Sequence, residues 1–248
     1  CTGLKMTNKR LDNLFNAPVR KAEENIGKFY MDIAASIQKV LEYIVLKICR
    51  NIKAETKLKN LCMAGGVALN CVANGKIVKE GIFDDIWVQP AAGDAGGALG
   101  ASLFAFHKNS FQKIKNKVYH DGMKGSYLGP KYNNNEVELE LKKVGAVAKK
   151  YSQADIIKKT VDAIKNQKVV GWFQGRMEFG PRALGNRSIL ADPRSKNMQK
   201  NLNLKIKFRE SFRPFAPSII KEKLTEWFDA EKLSPYMLFV YNVKSNKL

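Results

Sequence analysis

Hydrophobic residues recur at spacings of three and four from residue 32 to residue 50, which predicts one long amphipathic helix. The same spacing predicts a second helix over residues 154–166. Shorter apolar runs do not reach the length of a helix and predict buried strands. These runs are residues 61–64, 85–90, 145–149 and 168–173.

Two of the predicted strands end in glycine-rich turns that lead into a helical pattern. Gly65 and Gly66 follow the first strand, and the segment 93–101 (Gly-Asp-Ala-Gly-Gly-Ala-Leu-Gly-Ala) follows the second. Glycine lets the backbone approach a ligand, and the start of a helix supplies unpaired N–H groups for phosphate. The second turn also carries a carboxylate, Asp94. Two such turns in one domain predict a nucleotide-binding cleft.

The periodic pattern fades between about residues 107 and 135, where Lys, Asn, Gly and Tyr predominate. Such a segment is typical of a connection between domains. We therefore predict an α/β protein with a first domain over residues 1–115, a linker over residues 116–144 and a second domain over residues 145–248.

Arginine is concentrated in residues 175–194, together with glycine and proline. Guanidinium groups bind phosphate and carboxylate through paired hydrogen bonds, so this composition favours a site for a triphosphate or a phosphorylated small molecule. The alternative is that the arginines only pair with nearby carboxylates. The carboxylates in question are Glu178, Asp192 and Glu210.

Cations alternate with apolar residues at Lys205, Lys207 and Arg209. In a strand these three side chains would share one face and present positive charge to a pocket. An exposed edge strand protected by lysines is the other interpretation.

The composition gives a formal net charge of +20, from 43 Lys+Arg against 23 Asp+Glu in 248 residues. This charge fits a lysine-rich solvated surface, and it would also attract phosphate-bearing ligands or nucleic acid. Charged residues interrupt every apolar run before the roughly 20 residues that a membrane-spanning helix needs. The first residues lack the pattern of a signal peptide and a starting Met. We therefore expect a cytoplasmic chain cut from a longer one.

Four cysteines, at positions 1, 49, 62 and 71, show no Cys-x-x-Cys spacing. Three of them fall inside apolar helix or strand patterns. We interpret them as buried free thiols, with disulfide or metal-binding roles as the alternatives.

Four segments of the chain carry long motifs. The longest is Gly-Arg-Met-Glu-Phe-Gly-Pro-Arg-Ala-Leu-Gly-Asn-Arg-Ser-Ile at residues 175–189, and the others are residues 61–70, 93–101 and 212–217. Together these segments resemble the NodU/CmcH carbamoyltransferase family. The motifs are long and keep their order along nearly the whole chain. The resemblance implies part of an actin-like ATPase (ASKHA) domain, related to the tRNA threonylcarbamoyl transferases, followed by part of a YrdC-like α/β domain.

The family's activity implies two steps. Carbamoyl phosphate and ATP would give carbamoyl-adenylate with release of pyrophosphate, and the carbamoyl group would then pass to a hydroxyl of a sugar, an antibiotic or another small molecule. The expected partner is that acceptor, neither membrane nor nucleic acid is expected, and the chain is compatible with a homodimer.

The resemblance also assigns roles to individual residues. Asp94 would bind a divalent metal, either Fe or Mg/Mn, in the longer enzyme from which this chain is expected to be cut, here called the parent enzyme. The implied nucleotide-binding residues are Gly65, Gly66, Asn70, Gly96, Asn186 and Ser188. The residues implied to neutralise phosphate and act in catalysis are Arg176, Arg182, Arg187, Lys207 and Arg209.

The sequence departs from the family pattern at the metal site. The family pairs the carboxylate with a His-x-x-x-His motif, and this chain has only His107 and His120. We expect that the first half of the actin-like domain and the end of the YrdC-like domain are missing, so that the chain alone does not complete turnover. The alternatives are a tRNA threonylcarbamoylation-type enzyme and a non-catalytic nucleotide-binding fragment.

Overall fold

The structure is a computed structural model that describes residues 7–21, 24–109, 121–230 and 232–247. The predictions for Cys1 and His120 lie outside the described residues. The chain divides into two compact units, Cys1–Lys47 and Ile48–Leu248.

The first unit contains α1 (Lys9–Phe15) and the first part of α2 (Lys28–Thr56). The side chain of Asn8 caps α1 by accepting the backbone N–H of Arg10 at 2.9 Å. Helix α2 confirms the helix predicted over residues 32–50 and extends it at both ends.

The second unit contains a parallel pair of strands, β1 (Asn60–Met63) and β2 (Asp85–Val88), with Leu61 opposite Ile86. Both strands were predicted from their apolar runs. A 3-10 turn (Gly66–Leu69) and α3 (Cys71–Lys79) connect them. The buried side chains of this region include those of Ile77, Phe83, Ile86 and Val88 together with Ala91 and Ala92.

Among the described residues, β2 is followed by α4 (Asp94–Asn109), a 3-10 turn (Lys124–Ser126), α5 (Asn134–Lys143) and α6 (Gln153–Lys165). Strands β3 (Val170–Phe173) and β4 (Arg187–Leu190) then pair antiparallel. The remaining elements are α7 (Met198–Asn201), a π-helix (Leu202–Ile206), a 3-10 turn (Lys221–Lys223), α8 (Leu224–Trp227) and a 3-10 turn (Ser245–Lys247). The predicted α/β class and the helix predicted over residues 154–166 are confirmed.

Residues near the end of the chain lie against α3 and β2 in the second unit. The side-chain amide of Asn74, which is fully buried, donates to the Leu238 carbonyl at 3.1 Å. A Cβ on Gly75 would lie 2.7 Å from the Val240 carbonyl oxygen, so the two backbones are in close contact. Lys232 forms an ion pair with Asp85 at 2.9 Å. Segments far apart in sequence therefore share one core.

Two predicted strands are wrong. Residues 145–149 form no strand, because Gly145 adopts a positive φ of 65° after α5 and Val147 is fully exposed. Residues 205–209 do not form a strand either, since Leu202 and Asn203 are buried in a π-helix that includes Lys205. Lys205, Lys207 and Arg209 therefore do not share a strand face.

The cysteine prediction is confirmed in part. Cys49, Cys62 and Cys71 are free thiols, but only Cys49 is buried, while Cys62 is exposed and Cys71 is half-buried. Burial, reinforced by the charge of Glu80, raises the pKa of the Cys49 thiol. Cys62 is exposed because the part of the chain that the structure describes leaves that face of β1 uncovered.

No helix within the described ranges has both the length and the apolar character that crossing a membrane requires.

Candidate functional site

The first glycine turn connects β1 to α3. Gly65 has a φ of 98°, which residues with a side chain rarely adopt, and its N–H donates to the Ala92 carbonyl at 2.8 Å. The Asn70 side chain caps α3 by accepting the N–H of Ala73 at 3.0 Å. Gly66 begins the 3-10 turn, and a Cβ there would meet open space. The turn is therefore exposed, with its backbone accessible to a ligand.

The second glycine turn lies at the start of α4. Asp94 is the first residue of this helix and is exposed to solvent. Gly96 lies in the first turn, where a Cβ would overlap the carbonyl oxygen of Ala91. Gly96 is thus required for the backbone to fold back on itself, whatever ligand it contacts.

Asp94 does not form a metal site by itself. The described residues contain no group of three or more His, Cys, Asp or Glu side chains placed to hold a metal ion. A divalent cation needs several ligands, so one exposed carboxylate is too few for tight binding. The residues present therefore do not fit the implied metal without further ligands.

The arginine-rich motif folds into a loop of residues 176–187, here called the arginine loop, built around the buried carboxylate of Glu178. Its Oε1 accepts the N–H groups of Leu184 at 2.6 Å, Asn186 at 2.9 Å and Arg187 at 3.3 Å. Burial would raise the pKa of the Glu178 carboxyl, but the N–H groups, that of Asn186 first, hold it below its ordinary value. Glu178 is therefore the internal anion of this loop.

Arg187 is occupied within the same loop. Its guanidinium donates to the carbonyls of Glu178 at 2.8 Å, Arg182 at 3.5 Å and, at very short range, Gly180. The Glu178 Oε2 lies 3.9 Å from the Nε of Arg187. This guanidinium fixes the backbone of the loop.

Residues 126–131 lie against the arginine loop. Arg176 donates to the Gly129 carbonyl at 2.8 Å, and the N–H of Gly129 donates to the Met177 carbonyl at 2.9 Å. The hydroxyl of Tyr127 donates to the Leu184 carbonyl at 2.9 Å. This stretch, which falls in the predicted linker, thus supports the loop from one side.

Two predicted hydrogen-bonding residues also serve the loop backbone. The side-chain amide of Asn186 donates to the Arg176 carbonyl at 2.7 Å. The Ser188 hydroxyl accepts the N–H of Gly185 at 3.0 Å. Both residues hold the loop closed where it enters β4.

The arginine loop contacts both glycine turns. The guanidinium of Arg182 donates to the Leu69 carbonyl, at the end of the first turn, at 3.1 Å. A Cβ on Gly180 would lie 3.1 Å from the Cβ of Ala91, just before the second turn. The Arg182 Nε is buried and has no hydrogen-bond partner among the described residues. Three of the motifs singled out in the sequence are therefore neighbours in space.

Lys207 and Arg209 lie in a separate loop of residues 207–213, here called the cation loop. The Nε of Arg209 donates to the Asn203 side chain at 2.6 Å, and the guanidinium lies 4.9 Å from the centre of the Phe215 ring. Lys207 is exposed. Among the described residues, no hydrogen bond or ion pair joins these two cations to the arginine loop.

Some arginines pair with carboxylates, as the alternative interpretation proposed. Arg194 and the buried Asp192 form an ion pair at 2.7 Å, and Arg213 pairs with Glu210 at 2.7 Å. The Arg194 side chain and N–H lower the pKa of Asp192 to about 2. Among the described residues, Arg194 and Arg213 thus pair with carboxylates, whereas Arg182 does not.

Glu178 and Asn203 were not identified as site residues from the sequence. A carboxylate inside an arginine-rich segment was a signal for Glu178, although it was considered only as a pairing partner. Asn203 carried no comparable signal, because its partners are the backbone groups of a loop whose course the sequence does not specify.

Two family profiles match this chain. The profile described as "Carbamoyltransferase N-terminus" matches residues 1–103, and that described as "Carbamoyltransferase C-terminus" matches residues 161–248. The glycine turns lie within the first match, and the arginine and cation loops lie within the second.

The chain also resembles longer proteins. An uncharacterised protein of Synechocystis sp. is 54% identical over 245 residues, covering 98% of this chain and 40% of that protein. The "Nodulation protein NolO" of Bradyrhizobium diazoefficiens is 42% identical over 238 residues, covering 94% of this chain and 42% of that protein. The "Nodulation protein NolNO" of Sinorhizobium fredii is 42% identical over 233 residues, covering 92% of this chain and 34% of that protein.

With both profiles matched in order, the chain belongs to the carbamoyltransferase family that includes the NolO and NodU nodulation proteins. It spans about two fifths of the length of the first two relatives.

Proposed function

We propose that the parent enzyme is an O-carbamoyltransferase that makes carbamoyl-adenylate from carbamoyl phosphate and ATP and transfers the carbamoyl group to a hydroxyl of a small-molecule acceptor. The observation that carries the proposal is the contact of the arginine loop with the first glycine turn, through Arg182 and the Leu69 carbonyl at 3.1 Å. A cationic group for phosphate and an exposed backbone turn for the nucleotide are then parts of one site.

The proposal assigns different tasks to the cations. Arg182 is half-buried and retains an unpartnered Nε, and buried donors without partners are rare in folded proteins. We assign phosphate contacts to Arg182, Arg176, Lys207 and Arg209. Arg187 acts by holding the loop, because its guanidinium already donates to loop carbonyls.

The chemistry balances as follows. Water cleaves carbamoyl phosphate, which releases inorganic phosphate and leaves carbamate. A carbamate oxygen attacks the α-phosphorus of ATP and expels pyrophosphate, giving carbamoyl-adenylate. The acceptor hydroxyl then attacks the carbamoyl carbon and loses its proton, and AMP leaves. Cations lower the barrier of the second of these steps because negative charge develops on the departing pyrophosphate.

In the proposed division of labour, the actin-like part would contain the glycine turns and the YrdC-like part would contain the arginine loop. Gly65, Gly66, Asn70 and Gly96 would hold the nucleotide part of the intermediate. Asp94 would contribute one oxygen to a divalent metal only together with ligands from outside the described residues, and no step above depends on that metal.

Pyrophosphate exchange into ATP tests the first half of the reaction. The parent enzyme, given ATP, carbamoyl phosphate and labelled pyrophosphate, is expected to form labelled ATP. Arg182→Ala should lower the exchange rate about tenfold to a hundredfold, because a charge-assisted phosphate contact is worth about 1.5–3 kcal/mol. Lys149→Ala is the control. Lys149 is exposed and lies outside both loops, so its removal should leave the exchange rate unchanged.

Normal exchange in a folded Arg182→Ala variant would remove this residue from the site. Absence of exchange in the wild-type parent would overturn the proposed function itself. The net charge of +20 favours a tRNA-directed reaction as the second candidate. A product that forms only with threonine and tRNA would identify that reaction instead.

A further inference from the structure

Asn203 lies beneath the cation loop and is fully buried. Its side-chain Nδ2 donates to the carbonyls of Ser211 at 3.1 Å and Arg213 at 2.8 Å. Its Oδ1 accepts the Nε of Arg209 at 2.6 Å, and its backbone carbonyl accepts the N–H of Arg209 at 3.0 Å. One side chain therefore holds three residues of the loop.

The hydrogen-bonding groups of this amide are matched to the loop. A side-chain amide has two N–H donors and one carbonyl acceptor, and each has a partner here. An apolar residue of similar size would fill the same space without fixing the loop. The polarity of Asn203 thus determines where Arg209 and the backbone of residues 211–213 lie.

Asn203 also determines which edge of Arg209 can meet a ligand. The Nε edge is occupied by Asn203, and the guanidinium is positioned over the Phe215 ring. Among the described residues, the two terminal nitrogens of Arg209 form no hydrogen bond. They are the part of the guanidinium suited to a phosphate group.

A second side chain is hydrogen-bonded to the backbone of the same loop. The side-chain amide of Gln199 donates to the carbonyls of Phe212 at 3.1 Å and Arg213 at 3.2 Å. A loop that is already ordered loses less conformational entropy when it binds a ligand.

We propose that Asn203 is a positioning residue that orients Arg209 toward a phosphate-bearing substrate. The substrate class, ATP or pyrophosphate in the adenylate-forming step, rests on the proposed function. The orientation itself rests only on the four contacts of Asn203.

Inorganic pyrophosphate is the probe for this inference. Its dissociation constant is measured by calorimetry with the chain as it stands, for the wild type and for Asn203→Leu, which removes all three side-chain hydrogen bonds without adding charge. Asn203→Leu should raise the dissociation constant about tenfold, the size of one charge-assisted contact. Leu202→Ala is the matched control, because it destabilises the same π-helix at a buried neighbour and should leave the dissociation constant of the folded protein unchanged.

Arg209→Lys provides a second variant if Asn203→Leu does not fold. Lysine keeps the positive charge but lacks the Nε that Asn203 holds, so pyrophosphate binding should weaken as in Asn203→Leu. The double variant should lose no more affinity than either single variant, since both changes remove one interaction. In the parent enzyme the same variants should raise the KM for pyrophosphate in the exchange assay, a change that partial unfolding alone does not produce.

Wild-type affinity in a folded Asn203→Leu variant would overturn the inference, whatever the exchange assay shows. Weakened binding in these variants, combined with no exchange by the wild-type parent, would support the positioning role and reject the proposed reaction. Failure of the wild-type chain to bind pyrophosphate at all would also overturn the inference, while the exchange assay with the parent enzyme would still decide the proposed function.

Discussion

Glu178 has a carboxylate that is almost entirely removed from solvent, yet it remains charged. Its exposed fraction is 1%, and one oxygen accepts three backbone N–H groups. The N–H groups stabilise the charged form by more than burial destabilises it, so the pKa lies below its ordinary value. Glu178 therefore determines the shape of the loop that presents Arg182, without being placed to bind phosphate itself.

Removing this carboxylate tests that account. Glu178→Ala leaves three partly buried N–H groups without their acceptor and should lower the free energy of unfolding by roughly 3 kcal/mol. Glu178→Gln keeps one acceptor oxygen and should cost about 1 kcal/mol. The measurement is urea denaturation, with Glu136→Ala as a control at an exposed carboxylate that caps α5. Equal losses for Glu178→Ala and Glu136→Ala would show that Glu178 does not organise the loop.

At the scale of elements, α4 shows that neighbouring glycines have different reasons to be glycine. A Cβ on Gly96 would overlap the Ala91 carbonyl, whereas a Cβ on Gly97 would meet nothing within 4 Å. Both residues lie in the first turns of the same helix. Only Gly96 is therefore required for the tight approach of the strand end to the helix.

Alanine substitutions at these two glycines should have opposite effects. Gly97→Ala should raise the free energy of unfolding by about 0.5–1 kcal/mol, because alanine favours the helix. Gly96→Ala should lower it by about 2–3 kcal/mol, because the overlap forces the backbone apart. Thermal and urea denaturation of the two variants provide the measurement. A stabilising effect of Gly96→Ala would contradict the close approach.

The elements that the sequence predicted correctly are those with a clear helical period or a short apolar run. Helix α2 has its apolar spacing, and β1 and β2 are apolar runs bounded by turn residues. Helix α5 was missed, although Asn133 and Glu136 form a capping box that marks its start. Strand β4 was missed because its sequence was considered only for its chemistry.

The errors have a physical cause in tertiary contacts. The alternation at residues 205–209 fits a strand as well as a helix, and the burial of Leu202 and Asn203 selects the helix. For the site, sequence motifs identified the glycine turns and the arginine loop. They did not predict that Arg187 would be used internally or that Asn203 would hold Arg209, because both depend on backbone carbonyls brought together by folding.

On the scale of the whole molecule, residues 48–248 form one compact unit that contains both glycine turns and both cationic loops. Contacts between its distant segments include Arg182 with Leu69, Asn74 with Leu238 and Lys232 with Asp85. Some of these contacts involve buried side chains, so unfolding of one segment would expose the core residues of the segment that it contacts. We therefore expect the regions around the glycine turns and the arginine loop to unfold together.

The three tryptophans are well placed to test this expectation, since Trp87 lies in β2, Trp172 in β3 and Trp227 in α8. Three variants, each keeping one tryptophan and replacing the others by phenylalanine, report on the three regions through fluorescence during urea denaturation. If the unit unfolds cooperatively, fluorescence and circular dichroism must report the same transition in a given variant. Each variant should therefore show the same midpoint by its tryptophan as by circular dichroism at 222 nm, a wavelength that reports on helices throughout the chain.

Gly75→Ala, whose Cβ would lie 2.7 Å from the Val240 carbonyl oxygen, extends the test. It should lower the midpoint at all three tryptophans by a similar amount, although Trp172 is distant from it in sequence. Gly97→Ala serves as the control because its Cβ meets open space. If Trp87 and Trp172 instead reported separate transitions, and Gly75→Ala shifted only the first, the two predicted domains would fold independently. The contact of Arg182 with Leu69 would then be too weak to couple them.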